Sequence, residues 1–273
     1  MGWWSTCYQM GPLLVGPLAG LLIHAFGWRA VFRLPMAFMV GVALLVLWVV
    51  RPGPTPVGEP IVSEAQAMAE RRQAQHEVLR NRVLWSYGAS YFFIKFVRYA
   101  LQLWLPYYLQ RQLAYPVDKA NTVAAALEAG GLVGVIGIGS LSDRPNLGRV
   151  PLSAASLLGL ALALFAGAKL VGASTWLNVL LLGLIGALLF APDSILCGAA
   201  AQDAGGRRAT SMAAGFVNGV GSLGALLVGL AVPRMVQAYG WNVMFPSLVG
   251  MAVLSALCLI PALRADAQQQ IAT

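Results

Sequence analysis

Apolar residues fill this chain in long runs, and polar residues gather in the breaks between them. About eight runs reach the roughly 20 residues that a helix needs to cross the hydrocarbon core of a bilayer. They fall at 4–26, 29–50, 83–110, 121–141, 150–171, 175–200, 209–233 and 242–263. The pattern predicts an all-α, polytopic membrane protein. A single long polar stretch, 51–82, breaks the series. It opens with RPGPTPVGEP, a stiff exit, and continues with SEAQAMAERRQAQHEVLRNR. Ser63 and Gln66 have the spacing of a capping box before a run of good helix formers. A surface helix on a solvated linker is expected there.

Composition supports this reading. Hydrophobic residues make up 59% and charged residues only 10%, against about 25% charged in soluble domains. The 30 glycines suit closely packed membrane helices. The net charge of +8 comes from cations in short loops, not from a basic patch interleaved with aromatics. It therefore speaks to membrane orientation and not to nucleic acid. Cys7, Cys197 and Cys258 lie in apolar runs without a CxxC pair, and His24 and His76 have no ligand-spaced partner. Neither a metal site, a cofactor nor a hydrolytic enzyme is expected. The first run has no basic leader and no A-x-A site, unlike a signal peptide.

Orientation follows from Lys and Arg in the loops. One side collects Arg51, Arg71, Arg72, Arg80, Arg82, Arg144, Arg149, Arg207, Arg208 and Arg264. The other collects Arg29, Arg33, Arg111, Lys119, Lys169 and Arg234. The richer side is expected to be cytoplasmic, with both termini and the long loop.

Two short stretches repeat. GWRAVF starts at Gly27 and GWNVMF at Gly240, and both lie between apolar runs on the side opposite the long loop. The runs before them, GPLLVGPLAGLL and GSLGALLVGLAV, share glycine spacing. A duplicated helix pair is expected, as in transporters built from parallel repeats. By that logic 1–50 holds the last two helices of a first half, 51–82 a central cytoplasmic loop, 83–264 a six-helix second half and 265–273 a cytoplasmic tail. About four further helices would then precede Met1, and the chain reads as truncated at its N-terminus.

The stretch FFIKFVRYALQLWLPYYL, Phe92 to Leu109, carries Lys95 and Arg98 near the middle of a predicted span. A cation at that depth costs at least ~2.5–3.5 kcal/mol. Three residues apart on a helix, the two are about 60° apart and share a face. Each needs a carboxylate, a wet cavity or an anionic ligand. Glu128 and Asp193 are the two carboxylates inside apolar runs, and either is a candidate partner for either cation. Asn218, on a glycine-lined run, is a candidate for substrate or for another helix. Gly130, Gly131, Gly134, Gly215, Gly219, Gly221 and Gly224 read as packing surfaces.

GSLSDRPNLGR, Gly139 to Arg149, resembles the cytoplasmic G-x-L-x-D-R loop motif of the major facilitator superfamily, with Gly139, Asp143 and Arg144 as its members. The Asp and Arg would pair at helix ends. Within that superfamily the chain is most similar to the organophosphate:phosphate antiporters. The matching stretches are WSTCYQMG, FVRYALQLWLPYYL, ALEAGG, AAGFVNGVGSLG and GWNVMF.

The resemblance implies a secondary transporter of the inner membrane that exchanges a phosphate ester for inorganic phosphate by alternating access. It implies that Arg98 grips phosphate, with Lys95 as a supporting charge where glycerol-3-phosphate transporters place a tyrosine. Tyr8 stands where those transporters place a histidine, and Glu128 is expected to pair or gate. A second phosphate-binding arginine would come from a first-half helix, supplied by another chain if this one is short. Alternative expectations are a sugar-phosphate sensor of the same fold, a carrier for another organic anion, and an inactive fragment.

Overall fold

The computed structural model describes residues 2–50, 64–144 and 147–272. Among the described residues ten α-helices run in order: α1 Gly2–Phe26, α2 Ala30–Val49, α3 Glu64–Arg80, α4 Arg82–Leu113, α5 Val117–Ser142, α6 Arg149–Leu170, α7 Thr175–Ile195, α8 Ala201–Tyr239, α9 Met244–Cys258 and α10 Ile260–Ala272. A π-helical turn, Leu196–Ala200, joins α7 to α8. Gly206 breaks α8 with φ +63° and ψ −177°. The spans on either side of that break are Thr175–Gly206 and Arg208–Tyr239. No strand occurs among the described residues.

Each of the expected apolar runs is helical. Six stretches are long and apolar enough to cross a membrane among the described residues. Helix α4 is not in that set, although it is 32 residues long. Lys95, Arg98, Gln102 and several tyrosines interrupt its apolar character. Several helices outrun the expected bounds. Pro106, Pro192 and Pro233 lie inside α4, α7 and α8 instead of ending them, which packed membrane helices tolerate. The expected C-terminal tail continues as helix to Ala272.

The core is the bundle of α4 to α9, in which α5 packs on α7, α4 on α8 and α6 on α9. Missing side chains make the first two crossings close. A Cβ on Gly130 or Gly134 would collide with the α7 backbone at Gly183 or Ala187, and one on Gly224 would strike the Phe92 carbonyl. The expected packing role holds for Gly130, Gly131, Gly134, Gly221 and Gly224. Gly215 and Gly219 have nothing within 4 Å of a Cβ among the described residues. They share the exposed face of α8 with Asn218 and Ser222, one turn apart at helical spacing.

Helix α1 packs on α5 and α2. Apart from Ala30, α2 buries no residue and is apolar all round, the pattern of a helix set against lipid or other helices. Helix α3 forms where expected, although Ser63 lies outside the described residues. It is not wholly solvated, because Ala74 and Val78, one turn apart, are buried where α3 packs on α8.

The two repeated stretches have the same local form. Gly27 and Gly240 both adopt φ +78°. Each donates its N–H to the carbonyl four residues back, at 2.9 Å and 2.8 Å, a helix stop that favours glycine. Their aromatics differ in surroundings. Trp241 lies against Trp104, Tyr107 and Tyr108 of α4, and Phe245 is buried. Trp28 and Phe32 are exposed.

One end of the bundle is tied by charge. Arg149, at the start of α6, donates to Asp143 at 3.3 Å and to Asp203. The loop-motif aspartate thus meets Arg149 at the helix ends, and Arg144 is exposed. Arg149 heads the next helix and reaches back across the turn, while Arg144 lies in the turn itself. At the same end Asn81 caps α4, accepting from Val83 at 2.9 Å, and donates to the Ala204 carbonyl at 2.9 Å. At the other end buried Asn178 accepts from the Gly172 N–H at 3.1 Å and donates to the Tyr115 hydroxyl at 3.0 Å.

Candidate functional site

Tyr91, Lys95, Arg98 and Gln102 recur at steps of four, three and four along α4, so one helix face carries all of them. That face meets α5, α7 and α8. Lys95 and Arg98 are each 8% exposed, Glu128 7% and Asp193 6%. Four ionisable side chains are thus buried inside the span region, where each requires a polar partner.

The partners differ from cation to cation. Arg98 donates through Nη1 to Asp193 Oδ2 at 2.7 Å. The contact uses one nitrogen and one oxygen. Arg98 Nε and Asp193 Oδ1 are buried with no hydrogen-bond partner among the described residues. Phe190 of α7 walls the guanidinium, with Cζ 4.8 Å from its ring centre. Lys95 has no carboxylate within 4 Å among the described residues. Its Nζ donates to Asn218 Oδ1 at 2.7 Å and Ser222 Oγ at 3.1 Å, and lies 5.3 Å from the Tyr91 ring centre. Ser222 in turn donates to the Asn218 carbonyl at 2.8 Å. Neutral dipoles solvate Lys95, with no carboxylate in direct contact.

Glu128 takes neither cation as a direct partner. Its Oε1 accepts from Gln102 Nε2 at 2.7 Å, and Oε2 is buried without a partner among the described residues. A cleft of about 570 Å³ opens beside Gln102 and Glu128, walled by Gly11, Pro12 and Val15 of α1. Tyr8 lies on α1, but its side chain is outside the described residues.

The structure therefore brings together Lys95, Arg98, Asp193, Glu128 and Asn218 from the sequence-derived set. It places Gly139, Asp143 and Arg144 at the charged end of the bundle, away from these cations. Sequence reasoning missed Ser222 and Gln102 as partners. Ser222 had a signal, since it sits one turn beyond Asn218 on the same glycine-lined face. Gln102 also had one, as the next polar residue on the Lys95–Arg98 face.

An all-helical bundle with spanning helices, whose facing walls gather cations, carboxylates and an amide at mid-helix, is a polytopic membrane protein with an internal polar site. Comparison with known proteins narrows that class. The Major Facilitator Superfamily profile matches residues 1–206, and the chain belongs to that superfamily. It is 29% identical over 283 residues to a probable hexose phosphate transport protein of Chlamydia pneumoniae, covering 94% of this chain and 62% of the relative. It is 27% identical over 286 residues to the membrane sensor protein UhpC of Escherichia coli, covering 98% and 65%. It is 27% identical over 281 residues to the glycerol-3-phosphate transporter of Bacillus subtilis, covering 95% and 62%. These relatives are the organophosphate:phosphate antiporter group that the quoted stretches resemble. The chain spans less than two thirds of the length of each.

Proposed function

We propose that this chain forms part of a secondary carrier that exchanges a sugar phosphate or similar phosphate ester for inorganic phosphate across the inner membrane. The observation that carries the reading is Lys95, a buried cation whose hydrogen-bond partners are neutral and which has no carboxylate within 4 Å among the described residues. Such a charge favours an anion on the same wall. Arg98 lies one turn along, with a buried donor still free to serve a phosphate oxygen. A guanidinium fork suits phosphate, and an ammonium adds a point charge.

In this reading Arg98 and Lys95 are the phosphate ligands, and Asn218 orients Lys95 and contacts substrate. Tyr8 is a further ligand from α1. Glu128 and Asp193 neutralise and gate. Residues 1–50, the central loop 51–82, the bundle 83–264 and the tail 265–273 form the proposed organisation, with the loop and termini in the cytoplasm. The remaining wall of the cavity comes from helices outside this sequence.

A second reading has its own support, since one of the similar proteins is named a sensor. Counterflow separates the two. Full-length protein goes into vesicles loaded with radiolabelled inorganic phosphate, and external hexose 6-phosphate is added. The carrier reading expects label efflux that requires the external ester. Saturable hexose phosphate binding without efflux would replace it with the sensor reading.

A further inference from the structure

We infer that Asp193 competes with the substrate's phosphate group for Arg98, and that this competition selects phosphate over carboxylate. The inference rests on the proposed phosphate role of Arg98 and adds the residue that sets its selectivity.

The geometry of the pair points to an exchangeable counter-ion. A buried Arg–carboxylate pair is frequently bidentate, and it repays its desolvation best when the remaining lone pairs and protons are satisfied. Here a single Nη1–Oδ2 contact of 2.7 Å joins the two groups. Arg98 Nε and Asp193 Oδ1, both buried, are left without partners among the described residues. A tetrahedral phosphate can place two oxygens on the Nη1/Nη2 edge of the fork, taking the Nη1 that Asp193 holds, and lend another to Lys95. Asp193 reaches Arg98 through one oxygen.

The local helix suits a side chain that moves. Pro192, immediately before Asp193, has no N–H for the Leu188 carbonyl, which accepts instead from Ser156 Oγ at 3.3 Å. The π-helical turn Leu196–Ala200 follows within one turn. Proline and π-turns both loosen the helical ladder and recur at functional sites. Asp193 thus sits on the least regular segment of its wall, whereas Arg98 sits on an unbroken part of α4.

Selectivity follows from replacing like with like. A monocarboxylate that displaced Asp193 could set both its oxygens on the fork, but would have none left for Lys95 and would lose the intramolecular advantage. A phosphate gains contacts that Asp193 does not make. Competition also lowers apparent affinity by the fraction of Arg98 that Asp193 holds.

The test is inorganic phosphate binding to full-length Asp193→Asn protein in lipid nanodiscs, with acetate as competitor. Asparagine keeps an acceptor for Arg98 and removes the charge. Phosphate should bind about tenfold tighter or more, as release of a competing state predicts. Acetate, inert against the unaltered protein, should now displace phosphate. Unchanged or weaker phosphate binding by a variant with an unaltered melting curve overturns the inference. A second measurement needs no variant. Infrared difference spectra of the unaltered protein, with and without phosphate, should show a changed aspartate carboxylate stretch that carbon-13 aspartate labelling shifts. No such band overturns the inference. Arg98→Lys, measured alongside, separates the two levels. If it leaves phosphate binding intact, the phosphate role of Arg98 is wrong. If it abolishes binding while Asp193→Asn fails to tighten it, only the role of Asp193 is wrong.

Discussion

Arg98→Lys should weaken inorganic phosphate binding by roughly ten- to a hundredfold, which corresponds to the loss of one charged hydrogen bond of about 1.5–3 kcal/mol. The substitution keeps the positive charge and removes the fork. Lysine can still reach Asp193 across the α4–α7 contact, so the ion pair survives and the melting temperature should hold. The loss should therefore appear in binding and not in fold. Lys95→Gln should lose less. Its amide can still bond Asn218 and Ser222, and only a point charge is removed. Titration of the full-length variants with inorganic phosphate provides the reading. Arg98→Lys binding within twofold of the unaltered protein would remove Arg98 from the site.

Gly134→Leu should be among the most disruptive single changes in the bundle. A Cβ at Gly134 would fall on the Ala187 backbone, one at Gly130 on the Gly183 carbonyl, and one at Gly186 on the Leu127 carbonyl. Helices α5 and α7 thus touch backbone to backbone over two turns. A leucine there has no flexible neighbour to push aside, so the helices must separate. Overpacking of a core costs about 1–3 kcal/mol where side chains can shift, and this site should lie at or above the top of that range. Separation would also draw Glu128 from Gln102 and Asp193 from Arg98, because α5 and α7 carry those carboxylates. Melting temperature and phosphate binding should fall together. Gly137→Ala is the control on the same helix, with nothing within 4 Å of its added carbon. It should melt as the unaltered protein does.

Most of the helices were legible because a long apolar run can satisfy its backbone in a bilayer as a helix. The two cations were legible as a pair because three-residue spacing fixes their common face whatever surrounds it. Their partners were narrowed to Glu128 and Asp193 but not assigned. The Arg98–Asp193 contact spans 95 residues of sequence, and helix rotation and axial offset choose between the carboxylates. The same limit applies to Asp143, whose contact with Arg149 the spacing did not assign. Gly215 and Gly219 misled because glycine serves two purposes in a membrane helix, close packing and an open polar wall. Sequence periodicity does not separate those until neighbouring helices are placed. The buried stripe of α3 was weak in sequence, being two small apolar residues in a polar helix.

The central claim is that the α4 cations hold a phosphate group. Displacement of bound radiolabelled hexose 6-phosphate from the full-length protein by inorganic phosphate and by succinate tests it most directly. Inorganic phosphate should displace all of the specifically bound ester, and succinate at the same concentration should displace almost none. Failure of phosphate to displace the ester, or equal displacement by succinate, would contradict the account.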